Sequence, residues 1–493
     1  MRADSAGPAR GPLAPARGRR RARQAGGRAR PAPGTVRALC IAGIASSVGK
    51  TTVTLALAAA CRRRGLRVRC AKIGPDFIDP GFHAAATGAP SHTLDGWLLP
   101  PDVLRRTLGR AGADADLVLI EGMMGLFDGL EGRSEIGSTA EVAKRLGVPV
   151  LLVVDVAAQA RSAGAVVLGA ERFDPDLVVA GVILNRVGGP RHVTALRDAI
   201  GAVSPVPIVG AVPWQEAVRL PERHLGLVTA PERRFPPDLF ERLADLGEAA
   251  IDADACLDLA RSTVAAEPPP SPTPQRVRIG IARDAAFQFY YPDSLDALAA
   301  AGAALVPWSP LADARLPDVD ALLLGGGYPE VHAARLAGNA AMRGAVRAFV
   351  LDGGPVHAEC GGLMYLAREL EGPDGAFHPM VGVLPLRVRM TPARLTLGYR
   401  EARLEADALI GPAGAVFRGH EFHRSHVEEV RAPGLPPAYR VADPATGAEE
   451  AEGYRVRRTL ATYVHVHLGS RPGSAEALVD GCARGRRGVG AFE

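Results

Sequence analysis

Short apolar runs punctuate the first half of the chain: VRALCIAG (36–43), RVRCAKI (67–73), DLVLIEG (116–122), VPVLLVVD (148–155), LVVAGVILN (177–185) and VPIVGAVP (206–213). Between them lie longer stretches of good helix formers, such as KTTVTLALAAACRRR (50–64). Continuous apolar runs, rather than alternating ones, mark strands covered on both faces. Their alternation with helices predicts an α/β fold with a mostly parallel sheet.

The pattern breaks at residues 262–275, STVAAEPPPSPTPQ, where five prolines in seven residues impose an extended, donor-poor linker. Beyond it the apolar runs restart with VRIGIA (277–282). A chain of 493 residues exceeds one ordinary core, so two substantial domains are expected.

Charge changes the picture only at the N-terminus. Residues 1–35 hold nine arginines against Asp4, a net of +8 within an overall +5, which leaves the rest at −3. This Arg/Pro/Gly-rich leader is too poor in large apolar residues to order itself and reads first as a disordered tail or the product of a start codon placed too early, with a nucleic-acid arm or a targeting peptide as the alternatives. The mildly acidic remainder argues against nucleic acid as a partner. No apolar run is long enough for a membrane helix, so a cytoplasmic protein is expected. The six cysteines (Cys40, Cys61, Cys70, Cys256, Cys360, Cys482) are widely spaced and form no CxxC pair, so neither a zinc knuckle nor a disulfide framework is suggested.

Candidate chemistry sits at strand ends. The first strand runs into GIASSVGKTT (43–52). Backbone N–H groups of such a loop cradle phosphates, a lysine reaches the β/γ-phosphates and a hydroxyl ligates Mg2+. Gly43, Gly49, Lys50, Thr51 and Thr52 fit these roles, although five residues rather than four separate the glycines. Later strands end in GPDFIDPGFH (74–83), with Asp76 and Asp79, and EGMMGLFDG (121–129), with Glu121 and Asp128. Such carboxylates complete a magnesium site, or are simply solvated acids. Lys72 can neutralise phosphate charge, although a surface lysine reads identically.

In the second half, LLLGGGYPE (322–330) ends an apolar strand in glycines whose N–H groups can face an anion. Gly326 and Gly327 are the candidates there. GGPVHAECGGLMYL (353–366) then reads as strand, tight turn and helix, with Cys360 at an elbow eased by Gly361. The helix N-terminus behind it would favour a thiolate nucleophile. TYVHVHLG (462–469) sets His465 and His467 on one face of the last strand, and either can serve as the base.

These segments, together with GVILNRVG, ARDAAFQFYYPD and RGHEFHRS, occur in an order that resembles the cobyrinic acid and hydrogenobyrinic acid a,c-diamide synthase family, from about residue 36 to 472. The resemblance implies a dethiobiotin-synthetase-like, ATP-binding amidoligase domain over 36–228 and a connecting helix and linker over 229–275. A class I glutamine amidotransferase domain over 276–472 and a C-terminal helix or tail over 473–493 would follow. It further implies ATP and L-glutamine as co-substrates, Mg2+ as cofactor and a corrinoid acceptor, and leaves a homodimer open. Cys360 would attack the glutamine amide with His465 as base. Thr51, Asp76 and Glu121 would hold the metal, and Asn185 would face the adenine. Asp79 and Asp128 would lie near the phosphates and the acceptor. Phe77, Ile78 and His83 would line the tetrapyrrole pocket.

Two departures stand out. Ser47 occupies a loop position where relatives carry glycine, a source of strain if φ is positive there. His465-Val466-His467 replaces the usual His-x-Glu, which leaves the third member of the triad as His467, a residue elsewhere, or missing. Competing expectations are cobyric acid synthase and Ni-sirohydrochlorin a,c-diamide synthase. A P-loop switch ATPase, the reading from another class, lacks its signature lysine at Ala45 and has no use for the second half.

Overall fold

A computed structural model describes residues 36–218, 220, 236, 238–261, 264–268, 273–429 and 434–485. The leader, and part of the proline-rich linker, lie outside the described residues.

All six expected strands of the first half form, as β1 (Ala38–Gly43), β2 (Val68–Ile73), β4 (Leu117–Glu121), β5 (Val150–Asp155), β6 (Val179–Val187) and β7 (Ile208–Pro213). A short edge strand, β3 (His92–Leu94), joins them. The sheet is parallel, in the order β3-β2-β4-β1-β5-β6-β7. Alternate residues of β1 enter opposite cores, Ala38, Cys40 and Ala42 on one face and Leu39 and Ile41 on the other. That double burial is why these strands are apolar throughout.

Helix α1 (Lys50–Arg63) packs on the second face together with Leu239–Ala250. A Cβ on Gly247 would collide with the Ala56 carbonyl, so only glycine allows this close approach. Here the structure corrects the domain expectation. The helices Leu239–Ala250 and Ala253–Leu259 bury Leu243, Ala244, Leu246 and Cys256 in the first core and are integral to it rather than connectors. Residues 264–268 also stay on this lobe, with Val264 buried and the Glu267 N–H bonded to the Gly109 carbonyl.

The second lobe is built on β8 (Val277–Ala282), β9 (Ala303–Trp308), β10 (Ala321–Leu324) and β11 (Val356–Glu359). These form one sheet with Thr459–Thr462 beside β11 and Tyr454–Val456 at the edge. Two smaller sheets, largely antiparallel, flank it, and in one of them Val416–His423 pairs with His465–Val466. The expected C-terminal helix forms over Ser474–Gly485 and sinks Leu478, Val479 and Cys482 into this lobe's core.

The lobes meet along a polar and aromatic seam. Asp293 accepts the Thr93 N–H at 2.9 Å, and the Tyr399 hydroxyl donates to Asp95 at 2.7 Å. Arg418 donates to the Trp97 carbonyl at 2.7 Å while its guanidinium lies over the Trp97 ring.

Candidate active site

At the first site, β1 ends at Gly43 and the loop re-enters as α1 through Gly49, whose φ of 98° requires glycine. Ser47 has φ 63°, so the expected strain is present. Asn185 Nδ2, at the end of β6, donates to the Val48 carbonyl at 2.8 Å and braces the loop. In this state the Lys50 ammonium donates to the Ala45 and Met124 carbonyls, at 2.9 and 2.5 Å. Burial, then Lys72, brings Lys50 down to about 8. Thr51 and Thr52 follow, partly buried on the first turn of α1.

The C-terminal ends of β2 and β4 are paired, Lys72 opposite Glu121. Glu121 is fully buried and accepts from Thr51 Oγ1 at 2.7 Å and Lys72 Nζ at 3.1 Å. Lys72 also contacts Asp79 at 2.7 Å and Asp76 at 3.9 Å. It is therefore no surface lysine. Burial alone would lower its pKa, but Asp79, Glu121 and Asp76 hold it above its ordinary range. Asp76 Oδ1 accepts the N–H groups of Ile78 and Asp79, which fixes the turn into α2 (Asp79–Thr87). Asp128 is exposed and accepts the Gly125 N–H.

Among the described residues no three His, Cys, Asp or Glu side chains converge as a self-contained metal site. The donors present are nevertheless oxygens suited to Mg2+, which takes few protein carboxylates and fills its shell with water and phosphate. A lysine ammonium now neutralises the same carboxylates.

Two expected pocket residues are corrected. His83 is fully buried, with Nε2 2.7 Å from Glu121 Oε2 and Nδ1 3.0 Å from Ser91 Oγ, so it orients Glu121 instead of lining an open cleft. Ile78 is buried in the core of the first lobe. Phe77, between Asp76 and the buried Ile78, turns out of that lobe. Its ring stacks on Phe289 at 5.1 Å and meets Tyr291, His420 and His465 at 4.7, 5.5 and 5.1 Å.

At the second site Cys360 has φ 48° and ψ −99°, a strained elbow between β11 and the helix Gly361–Leu366. Its N–H donates to the Thr462 carbonyl at 2.7 Å. A Cβ on Gly362 would collide with the Leu324 carbonyl, and one on Gly361 would sit 3.1 Å from the Gly327 nitrogen. The glycine loop of β10 thus abuts the elbow. A Cβ on Gly326 would collide with the His465 ring, which places that ring on the same loop.

The helix that is expected to favour a thiolate is opposed by the surroundings of the sulfur. Burial, with Glu330 next, pushes the thiol above its ordinary range, and a helix of six residues does not offset this. His465 is 1 % exposed, and burial holds it below the ordinary imidazole range. His467 points elsewhere: its Nδ1 accepts the Gly469 N–H, its Nε2 lies 3.9 Å from Asp293 and its ring packs on Tyr291 at 4.5 Å. Sequence reasoning missed His420, which stacks on His465 at 5.1 Å and meets the Tyr291 hydroxyl at 2.9 Å. RGHEFHRS and ARDAAFQFYYPD, which carry His420 and Tyr291, were singled out without roles, because nothing local indicates which ring faces which.

Comparison with known proteins agrees with this two-site layout. Residues 39–228 match the CobQ/CobB/MinD/ParA nucleotide binding domain, and residues 278–473 match the CobB/CobQ-like glutamine amidotransferase domain. The cobyrinate a,c-diamide synthase of Syntrophotalea carbinolica is 48 % identical over 90 % of this chain and 98 % of its own. The hydrogenobyrinate a,c-diamide synthase of Streptomyces coelicolor is 40 % identical over 90 % and 97 %. The cobyrinate a,c-diamide synthase of Salmonella typhimurium is 41 % identical over 88 % and 96 %. With a P-loop acid cluster and a Cys–His elbow on one chain, and kinship at this level over nearly its whole described length, the protein belongs to the cobyrinate and hydrogenobyrinate a,c-diamide synthase family of glutamine-hydrolysing ligases.

Proposed function

We propose that the protein uses ATP and glutamine to convert the a- and c-carboxylates of cobyrinate or hydrogenobyrinate into amides, as a cytoplasmic enzyme of cobalamin biosynthesis. The observation that carries this reading is the loop Gly74–Asp79. It supplies Asp76 and Asp79 to the acid cluster of the P-loop site and lays Phe77 on His465 of the glutaminase site.

The chemistry needs both ends of that loop. A carboxylate is a poor electrophile, so its oxygen takes the γ-phosphoryl group of ATP to give an acyl phosphate and ADP, and ammonia then attacks the acyl carbon, expels inorganic phosphate and leaves the amide. Lys50, released from the Ala45 and Met124 carbonyls, neutralises the β/γ-phosphates, and the backbone N–H groups of residues 44–49 wrap them. Thr51, Glu121 and Asp76 are the oxygen donors that would hold Mg2+, which supplies charge neutralisation for the transferring phosphoryl group. His83 and Ser91 keep Glu121 oriented.

At the other end His465 takes the Cys360 proton, and the sulfur attacks the glutamine carboxamide carbon. The tetrahedral oxyanion faces the loop of Gly326 and Gly327. The proton then leaves with ammonia, and water hydrolyses the thioester to glutamate. Ammonia is mostly protonated in neutral water, so release inside the protein is what makes glutamine the useful nitrogen source.

The test is to incubate cobyrinate and hydrogenobyrinate separately with the protein, ATP, Mg2+ and glutamine, and to count added amides by mass spectrometry. Two amides on at least one substrate are expected. No amide on either, with the protein folded, would overturn the assignment.

A further inference from the structure

His465 has an orphaned nitrogen. Its ring is buried, and Nδ1 finds no hydrogen-bond partner in the present geometry. A histidine acting as base through Nε2 needs its proton on Nδ1 and an acceptor there to fix the tautomer and stabilise the imidazolium. In His-x-Glu enzymes that acceptor stands two residues on, where this chain has His467, turned toward Asp293.

One carboxylate faces the orphaned nitrogen. Glu359, the last residue of β11 and the one before the nucleophile, places Oε2 3.9 Å from His465 Nδ1. Its other oxygen is anchored: Oε1 accepts the Val466 N–H at 3.1 Å and lies 3.0 Å from His357 Nε2. The remaining acids nearby are committed. Glu421 pairs with Arg400 at 2.8 Å, and Glu452 accepts from Thr462 Oγ1 and the Tyr463 N–H. Beside Glu359 lies a cavity of about 40 Å³, lined also by Tyr290, Ser294 and His357, which gives the free oxygen room to turn. A movement of about 1 Å closes the gap to hydrogen-bond length, and apo sites commonly show such bonds long.

We propose that Glu359 is the positioning residue of the glutaminase site, its Oε2 accepting the His465 Nδ1 proton in place of the missing His-x-Glu carboxylate. The orienter is thus supplied from the strand that carries the nucleophile. Oxygen Oε2 holds the ring with Nε2 as acceptor, the Cys360 proton moves to Nε2 as the sulfur's electron pair attacks the glutamine carboxamide carbon, and the resulting imidazolium sits against a carboxylate already pinned by Val466. Burial lowers the histidine's basicity, and Glu359 works against that effect. The other titratable groups around the ring are His420 and His423 from the antiparallel strand, both held neutral mainly by burial, and Cys360 across the glycine loop. The first lobe presents the uncharged Phe77.

The proposal rests on the glutaminase reading above, and its test separates the two. Glu359→Gln keeps the Val466 bond through Oε1 but can turn an N–H toward Nδ1 and favour the wrong tautomer. In the full-length protein it should lower kcat for glutamine hydrolysis about 10²-fold or more with KM within about twofold. Amidation from ammonium salts should remain at parental rate. Glu359→Asp should recover part of kcat. Cys360 alkylation by iodoacetamide, followed against pH by peptide mass spectrometry, should shift to higher pH in Glu359→Gln, loss of the imidazolium's partner outweighing relief of the carboxylate's own repulsion of the thiolate.

Parental kcat and an unshifted alkylation profile in Glu359→Gln would overturn the proposal. So would an equal fall in ammonium-dependent amidation, which would mark a structural role. Failure of the glutaminase reading itself would show differently, as glutamine-dependent amidation surviving in Cys360→Ser.

Discussion

Replacing Lys72 by methionine tests the charge logic of the P-loop site directly. The lysine is 2 % exposed and lies 2.7 Å from Asp79, 3.1 Å from Glu121 and 3.9 Å from Asp76, with a further bond to the Gly122 carbonyl. Methionine keeps the stem's volume and deletes the charge. Removing one partner from a buried ion pair costs about 3–5 kcal/mol because the other is left uncompensated. Asp76 is only partly buried, which puts the expectation near the lower end, about 3 kcal/mol. For a lobe of this size each kcal/mol lowers Tm by about 2–4 °C, so thermal unfolding should fall by about 6–12 °C. The loss is electrostatic, so added Mg2+ should raise Tm more in the variant than in the parent, a divalent ion replacing the missing charge. Melting within about 2 °C of the parent, with the same Mg2+ response, would refute the reasoning.

Cys360→Ser should abolish amidation from glutamine while ammonium salts still support it, measured by amide counting on the corrinoid; loss of both would make the cysteine structural. Lys50, lowered to about 8, should regain its proton when ATP phosphates arrive. Calorimetry in buffers of differing ionisation enthalpy should therefore register proton uptake on ATP binding near pH 8.5 and almost none near pH 6.5. Ser47→Gly should relieve a positive φ that costs a non-glycine residue about 1–2 kcal/mol, against about 0.4–1 kcal/mol of added unfolded-state entropy. The net gain of about 0.5–1 kcal/mol should appear in the urea midpoint without loss of ATP affinity, and a marked destabilisation would mean the serine has a role its exposed side chain does not reveal.

What could be read in the chain depended on how local the controlling physics was. The first sheet was legible because burial on both faces leaves uninterrupted apolar runs, whereas the strain at Ser47 was expected only if φ were positive there, as the resemblance to glycine-bearing loops suggested and the structure shows. Edge strand β3 was missed, since three residues carry no period. The helix Leu239–Ala250 could be seen as a helix but not assigned to a lobe, because its allegiance rests on the contact of Gly247 with Ala56, far away in sequence. His83 was misjudged for the same reason: neither the sequence nor its helix indicates that Nε2 meets Glu121. At Cys360 the local pattern shows the helix that favours a thiolate but not the burial that acts against one.

The same contrast separates the two histidines. Spacing makes His465 and His467 equivalent, but strand pairing does not. His465 sits opposite His420 and beside the glycine loop, whereas His467 turns to Asp293 on the helix Pro292–Ala300. An orienting carboxylate sought next to the histidine is absent, yet parallel pairing of β11 with Thr459–Thr462 brings Glu359 alongside Val466. Phe77 extends this arrangement to the first lobe. Asp76 Oδ1 accepts the N–H groups of Ile78 and Asp79, so Phe77 sits in a hydrogen-bonded turn between the two acids that contact Lys72. The acid cluster around Lys72 and the His465 ring therefore contact neighbouring residues of one short turn.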